Sequence, residues 1–518
     1  MRVQAADTDV ETLHRLGYAQ ELRRRMSGFS NFAVSFTIIS ILSGCLTLYQ
    51  FGMNTGGPVV MTIGWPVVGL FVILVGLAMA EVCSSYPTAG GLYYWSAKLA
   101  GPKGGPAWSW FTGWFNLLGQ VAVTAGIDFG AAFFTSALLN ALFGYPIDHP
   151  IDIIAVYALI LILHGLLNTF GVAVVAFLNN VSVWWHIGGV ALIAISLFFF
   201  SSHHQSAGFV FTHFVNNTGI GFGGAPIYVF LIGLLLAQYT FTGYDASAHM
   251  TEETRDAATA GPRGIVMSIV ISLVAGWVLL IAVTQAIGNY DKQVVALVPP
   301  AQIFNDALGK GFGTFLLFVV VGAQLYCGMS SVTANSRMIY AFARDGAIPG
   351  ARFWHRVNHR TRTPTNSIWL AVVGAFILGV PYLFNTTAYA AVTSIATIGL
   401  YVAYGIPILL RLRAGASFQR GPWHLGRWST VVGVIAVIWI AFIAILFVLP
   451  QASPITRDNF NYAIVAVAVV VGGTAIWWFA SARNWFTGPK IQGSAEELAA
   501  IEADLEVPAG VAAGAVGD

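Results

Sequence analysis

Twelve apolar stretches of about 20 residues or more take up most of this chain, at roughly 29–57, 63–84, 107–139, 151–168, 174–200, 226–251, 264–288, 312–343, 366–384, 387–411, 429–450 and 460–481. In hydrocarbon every backbone N–H and C=O must find a partner within the protein, so only helices and closed barrels span a bilayer, and runs of this length select helices. With 57 % hydrophobic and 9 % charged residues, the chain lies far from the composition of a water-soluble globule. It reads as an all-α integral membrane protein of about 12 transmembrane helices. A net charge of +2 leaves no basic surface for nucleic acid. Cys45, Cys83 and Cys327 fall inside apolar runs with no CxxC spacing, so neither a disulfide framework nor a metal site is expected, and no cofactor is implied.

Basic residues fix the expected orientation, because Lys and Arg collect on the cytoplasmic side. With the N-terminus inside, only Lys292, Lys310 and Arg457 of the 24 Lys and Arg residues fall in outer loops. Both termini are therefore expected in the cytoplasm, as an N-terminal tail over 1–28 and a C-terminal tail over 486–518, with the transmembrane domain over 29–485. The charged first 28 residues show no removable signal peptide. Ser494 to Val507 has the composition of a short exposed helix.

Two of the spans contain internal breakers. Ser43-Gly44-Cys45 interrupts the first, and Phe241-Thr242-Gly243-Tyr244-Asp245 interrupts the sixth. Twelve spans broken at these places fit two inverted five-helix repeats, about 29–200 and 226–411, followed by two extra helices over 429–481. The two breaks then meet near the bilayer midplane, where free main-chain dipoles bind a polar guest.

Three motifs in order carry a resemblance. EVCSSYPTAGGLYYW, from Glu81 to Trp95, follows the second span. GYDASAHMTEET, from Gly243 to Thr254, spans the sixth break. Ser336-Arg337 and the ARDGAIP stretch, from Ala343 to Pro349, close the eighth. Together they resemble the amino acid–polyamine–organocation permeases over roughly residues 17 to 485, most of all the branch carrying amino acids, γ-aminobutyrate and choline. The resemblance implies a leucine-transporter-like fold and a secondary transporter working by alternating access in the plasma membrane. It implies no enzymatic activity. A choline or polyamine transporter is the alternative reading, and an amino-acid-binding membrane sensor that does not transport is another.

The residues at the breaks suit a zwitterion. Amides of Gly44, Cys45 and Leu46, with Ser43, offer a helix N-terminus to a carboxylate. Carbonyls near Leu42 and Phe241 offer acceptors to an ammonium, and Thr242 and Gly243 continue the same unwound stretch. Tyr239, Phe241, Tyr244 and Tyr326 wall the apolar part of a ligand or else pack between helices. Asp245 either caps the restarted sixth helix through the amides of Ser247 or Ala248 or serves as counter-ion to a cationic substrate. Asp128 is a second anionic candidate, or a hydrogen-bond partner for a neighbouring helix.

His186 closes NVSVWWH, a segment resembling the fifth helix of relatives in which a lysine stands at this position. A histidine is readily moved across neutral pH, so proton coupling or exchange follows as an expectation; a neutral histidine bonded between helices is the other. His249, four residues after Asp245, shares its helical face and either simply pairs with it or takes part in coupling. His164 reads as structural. Glu81 is expected to pair with Lys98 or an inner-loop arginine as a gate, with Glu252, Glu253, Arg255, Arg337 and Asp345 forming a network at the same end, or to be a solvated helix-end charge. The expected partners are a small amine-bearing substrate, the lipid bilayer and a co-transported proton; the sequence leaves oligomeric state open.

Overall fold

A computed structural model of the protein describes residues 2–506 apart from 171, 359 and 386. Among the described residues, eleven helices are long and apolar enough to span a bilayer: Gly28–Thr47, Val60–Ser85, Gly91–Phe143, Pro150–Phe170, Val174–Phe200, Ala257–Gln285, Lys310–Arg344, Thr365–Leu383, Ala388–Ser417, Gly426–Leu446 and Ala463–Ala480. Counted in chain order they are the first to fifth and the seventh to twelfth spans. The sixth is the shorter apolar helix Ala225–Thr240, which stops early because its break follows and a second piece, Ala246–His249, restarts it. The all-α membrane architecture is the one the apolar runs dictate. Within Gly91–Phe143, a positive φ at Gly101 divides a leading helical segment from the span proper, which is why the sequence places the span only from about 107.

The second span packs along the seventh, and the third along both the eighth and the tenth. The first and sixth spans cross in opposite senses between these pairs. Ser35, before the first break, accepts through Oγ from the amide of Ser247, after the sixth (2.9 Å). Gly44, after the first break, lies against Thr240, before the sixth, so closely that a β-carbon there would stand 2.6 Å from Thr240 Oγ1. Two chains that exchange partners across their breaks in this way run antiparallel, as an inverted repeat requires.

The terminal segments meet at one end of the bundle. The Gln492 amide donates to the Gly17 carbonyl (2.9 Å), and Leu13, Tyr18, Ala19 and Leu22 are buried. The acidic stretch expected as a short helix forms one, Ala495–Glu506.

Candidate functional site

The first span breaks at Ser40, three residues before the expected Ser43-Gly44-Cys45. Ser40 adopts φ 31° and ψ 82°, which few side chains tolerate. Its hydroxyl holds that conformation by accepting from the Ser43 amide (3.2 Å) and bonding to His186 Nε2 (2.7 Å). Ser43, Gly44, Cys45 and Leu46 consequently lie inside the second half-helix, Ile41–Thr47. The residues that open this half are Ile41 and Leu42, so the amide terminus sits earlier than the glycine indicated. Gly44 gives close approach to Thr240, not a turn.

The sixth break lies where expected, over Phe241 to Asp245. Gly243 carries φ 85°, and a β-carbon there would also run into Ile38; both facts require glycine. The Phe241 carbonyl, expected to be open to an ammonium, accepts from the Tyr401 hydroxyl, and the Phe241 ring lies on Trp65 with centroids 4.4 Å apart. Thr242 Oγ1 donates to the Tyr239 carbonyl (2.7 Å). The Tyr244 ring stands 5.0 Å from that of Tyr404, while the Tyr239 hydroxyl is buried without a partner among the described residues. From the eighth span, Cys327 Sγ reaches the Ile38 carbonyl (3.2 Å). Tyr326 turns instead toward Trp185 of the fifth span.

Asp245 stands at the cap position but makes no capping bond; the Ser247 amide is taken by Ser35 Oγ (2.9 Å). Its fully buried carboxylate receives Gln120 Nε2 on Oδ2 and the Tyr404 hydroxyl on Oδ1, both at 2.7 Å. His249 Nε2 lies 3.3 Å from the same Oδ2. Its Nδ1 faces the Ala89 carbonyl at 2.9 Å and must carry a proton there. Asp245 thus joins the restarted sixth helix to the third and tenth spans. A buried carboxylate at membrane depth needs this many partners.

Asp128 takes up the helix-bridging alternative: Oδ2 meets His164 Nδ1 of the fourth span at 3.1 Å, and Oδ1 lies against Gly328, with no partner among the described residues. His164, read as a lone structural group, is therefore half of a buried pair. His186 reaches the first break, with Nδ1 on the Ser182 carbonyl (2.8 Å) and Nε2 on Ser40.

At the end carrying the termini, Glu81 pairs with Arg411 (3.1 Å) and receives the Ser429 hydroxyl and the Leu425 amide. Lys98 lies over the Tyr94 ring instead. Arg337 pairs with Glu253 (2.8 Å) and Arg344 with Glu252 (3.3 Å). Arg255 meets Met26 through its backbone amide. Asp345 accepts from the Tyr18 hydroxyl (3.1 Å) and the Lys490 amide (3.0 Å), drawing both terminal segments into the network. Among the described residues no three His, Cys, Asp or Glu side chains gather to hold a metal ion. Sequence reasoning missed Ser35, Ser40, Gln120, Tyr401 and Tyr404. Their one signal is polarity within apolar runs, which does not say what each side chain meets.

At the crossed breaks of the first and sixth spans, polar groups of the third, fifth, eighth and tenth spans come together. A family model described as an amino acid permease matches residues 26–471. The chain belongs to the amino acid permease family. This permease is 45 % identical over 504 residues to the amino-acid permease BAT1 of Arabidopsis thaliana, covering 94 % of this chain and 97 % of that one. It is 44 % identical to the BAT1 homolog of Oryza sativa subsp. japonica, over 93 % and 96 % of the two chains. A putative amino acid/polyamine transporter of Macrophomina phaseolina is 34 % identical to it, over 83 % of this chain and 96 % of that one. The family places the permease among membrane transporters rather than enzymes.

Proposed function

We propose that the protein carries amino acids, or related small amines such as γ-aminobutyrate, by alternating access at the crossed breaks of the first and sixth spans. The membrane is the plasma membrane, with both termini in the cytoplasm. The observation that carries the reading is the exchange of contacts between the breaks: Ser35 on Tyr244 and Ser247, and Gly44 against Thr240. The half-helix starting at Ile41 presents its positive end to a carboxylate. The names of the relatives, amino-acid permeases and an amino acid/polyamine transporter, support the substrate class. Asp245 is already satisfied by Gln120 and Tyr404, which favours a zwitterion over choline or a polyamine.

Proton coupling belongs to this proposal, with His186 as its site. Protonation turns Nε2 from an acceptor of the Ser40 hydroxyl into a donor, at the residue whose strained backbone forms the break. Uptake of labelled alanine, γ-aminobutyrate, choline and putrescine into proteoliposomes, with and without an inward-acidic gradient, tests it. Uptake of alanine or γ-aminobutyrate stimulated by the gradient, and a pH response lost in His186→Gln, is expected. Binding without counterflow identifies a sensor and sinks the transport reading, and an unchanged pH profile in His186→Gln removes the coupling role.

A further inference from the structure

A cavity of about 510 Å³ at the end carrying the termini is lined by Arg23, Arg25, Arg337, Arg360 and Arg362. Its one carboxylate, Glu253, is committed to Arg337 at 2.8 Å. Arg23, Arg25 and Arg360 are exposed, and among the described residues none of the three makes a side-chain ion pair or hydrogen bond. The guanidinium groups of Arg23 and Arg25, from the N-terminal segment, and of Arg360, from the loop after the eighth span, converge on this cavity and repel one another unless an anion lies between them. Guanidinium forks match phosphate oxygens in geometry and charge. Phe170 and Phe177 line the same cavity and are 76 % and 64 % exposed, on helices whose exposed faces meet hydrocarbon. The opening is therefore flanked by lipid, where basic pockets between spanning helices take lipid headgroups.

We propose that this cavity binds a phosphate-bearing anion, with Arg23, Arg25 and Arg360 as its principal contacts and room for more than one phosphate. The anion joins the segment leading into the first span to the loop between the eighth and ninth. Its chemistry is shared by an anionic phospholipid headgroup and by a soluble phosphate, and the two are separated by experiment.

Purified full-length protein in neutral detergent is titrated with dioctanoyl phosphatidylinositol 4-phosphate, with dioctanoyl phosphatidylcholine, and with inorganic phosphate, while the thermal unfolding midpoint is followed. The triple variant Arg23→Ala, Arg25→Ala, Arg360→Ala is compared with Arg413→Ala, Arg427→Ala, whose guanidinium groups lie over Trp108 and Trp428. Expected is a rise of several degrees with the anionic lipid and none with phosphatidylcholine. The apparent affinity should fall at least tenfold in the triple variant, stay unchanged in the double variant, and weaken with added salt. The same pattern with inorganic phosphate assigns a soluble anion; with the lipid alone, it assigns the membrane. No stabilisation by either probe, or an equal response from both variants, overturns the proposal. An unfolding midpoint of the triple variant matching wild type without ligand separates lost binding from lost fold.

Discussion

The Tyr404 hydroxyl donates to Asp245 Oδ1 at 2.7 Å, tying the tenth span to the point where the sixth restarts. Any movement of the restarted helix must stretch or break this bond together with the one from Gln120. Tyr404→Phe removes a hydrogen bond to a buried charge, of about 1.5–3 kcal/mol, and leaves Gln120 in place. The maximal uptake rate in proteoliposomes should change by about tenfold or more with little effect on expression. Wild-type kinetics in Tyr404→Phe would mean that Asp245 is held by Gln120 and His249 alone.

Gly243 combines a left-handed backbone with contact against Ile38, so Gly243→Ala brings two penalties of different origin. The steric one is largely relieved when Ile38→Ala is added, which leaves only the Cβ of residue 38, at 3.2 Å; the dihedral one, about 1–2 kcal/mol, is not. The single variant should lose substrate uptake, and the double variant should regain part of its thermal stability but not the full wild-type value. Complete recovery would show that the dihedral at 243 carries no cost, and no recovery that Ile38 is not what the β-carbon meets.

Length and polarity located the spans because hydrocarbon imposes one backbone solution on any apolar run of sufficient length. The order and antiparallel sense of the broken spans were legible for the same reason. Ser40 was not. A glycine in an apolar run reads as a hinge, yet Gly44 is small in order to admit Thr240, and the hinge is a serine whose hydroxyl gains two partners only in the folded bundle. Asp245 was legible as a charge that needs an explanation. Its actual partners, Gln120 and Tyr404, depend on how the third and tenth spans are rotated, which no local pattern records. Glu81 illustrates the same limit: Lys98, a loop arginine or solvent are all open to it in the sequence, and its actual partner, Arg411, lies far along the chain and is one of many arginines.

Glu81 and Arg411 are both nearly inaccessible to solvent, so removing one leaves the other buried and unpaired. Glu81→Gln should destabilise by about 3–5 kcal/mol, seen as a lower unfolding midpoint in detergent. The double replacement Glu81→Leu, Arg411→Met should recover most of that loss, since a matched apolar pair leaves no orphan charge. A double variant as unstable as the sum of the two singles would show that the pair is not coupled.

Asp345, the first residue past the eighth span, has its pKa pushed up to about 7 by burial, against the lowering effect of the Lys490 amide and the Tyr18 hydroxyl. An acid whose folded pKa exceeds its unfolded value, near 3.9, binds more protons folded than unfolded between those two limits. The stability it contributes is therefore full below about pH 4 and is lost as pH rises through 7. Asp345→Asn keeps the shape and is neutral throughout. Between about pH 5 and 8, the unfolding midpoint of the wild type should fall more steeply than that of Asp345→Asn, while the two converge at the acid end. The loosening at high pH should begin where Asp345 holds Tyr18 and Lys490, so protease cleavage within residues 486–506 should rise with pH in the wild type and stay level in the variant. Parallel pH profiles for the two proteins would show that Asp345 is ionised in the folded state across the whole range, its charge held by Lys490 rather than expelled by burial.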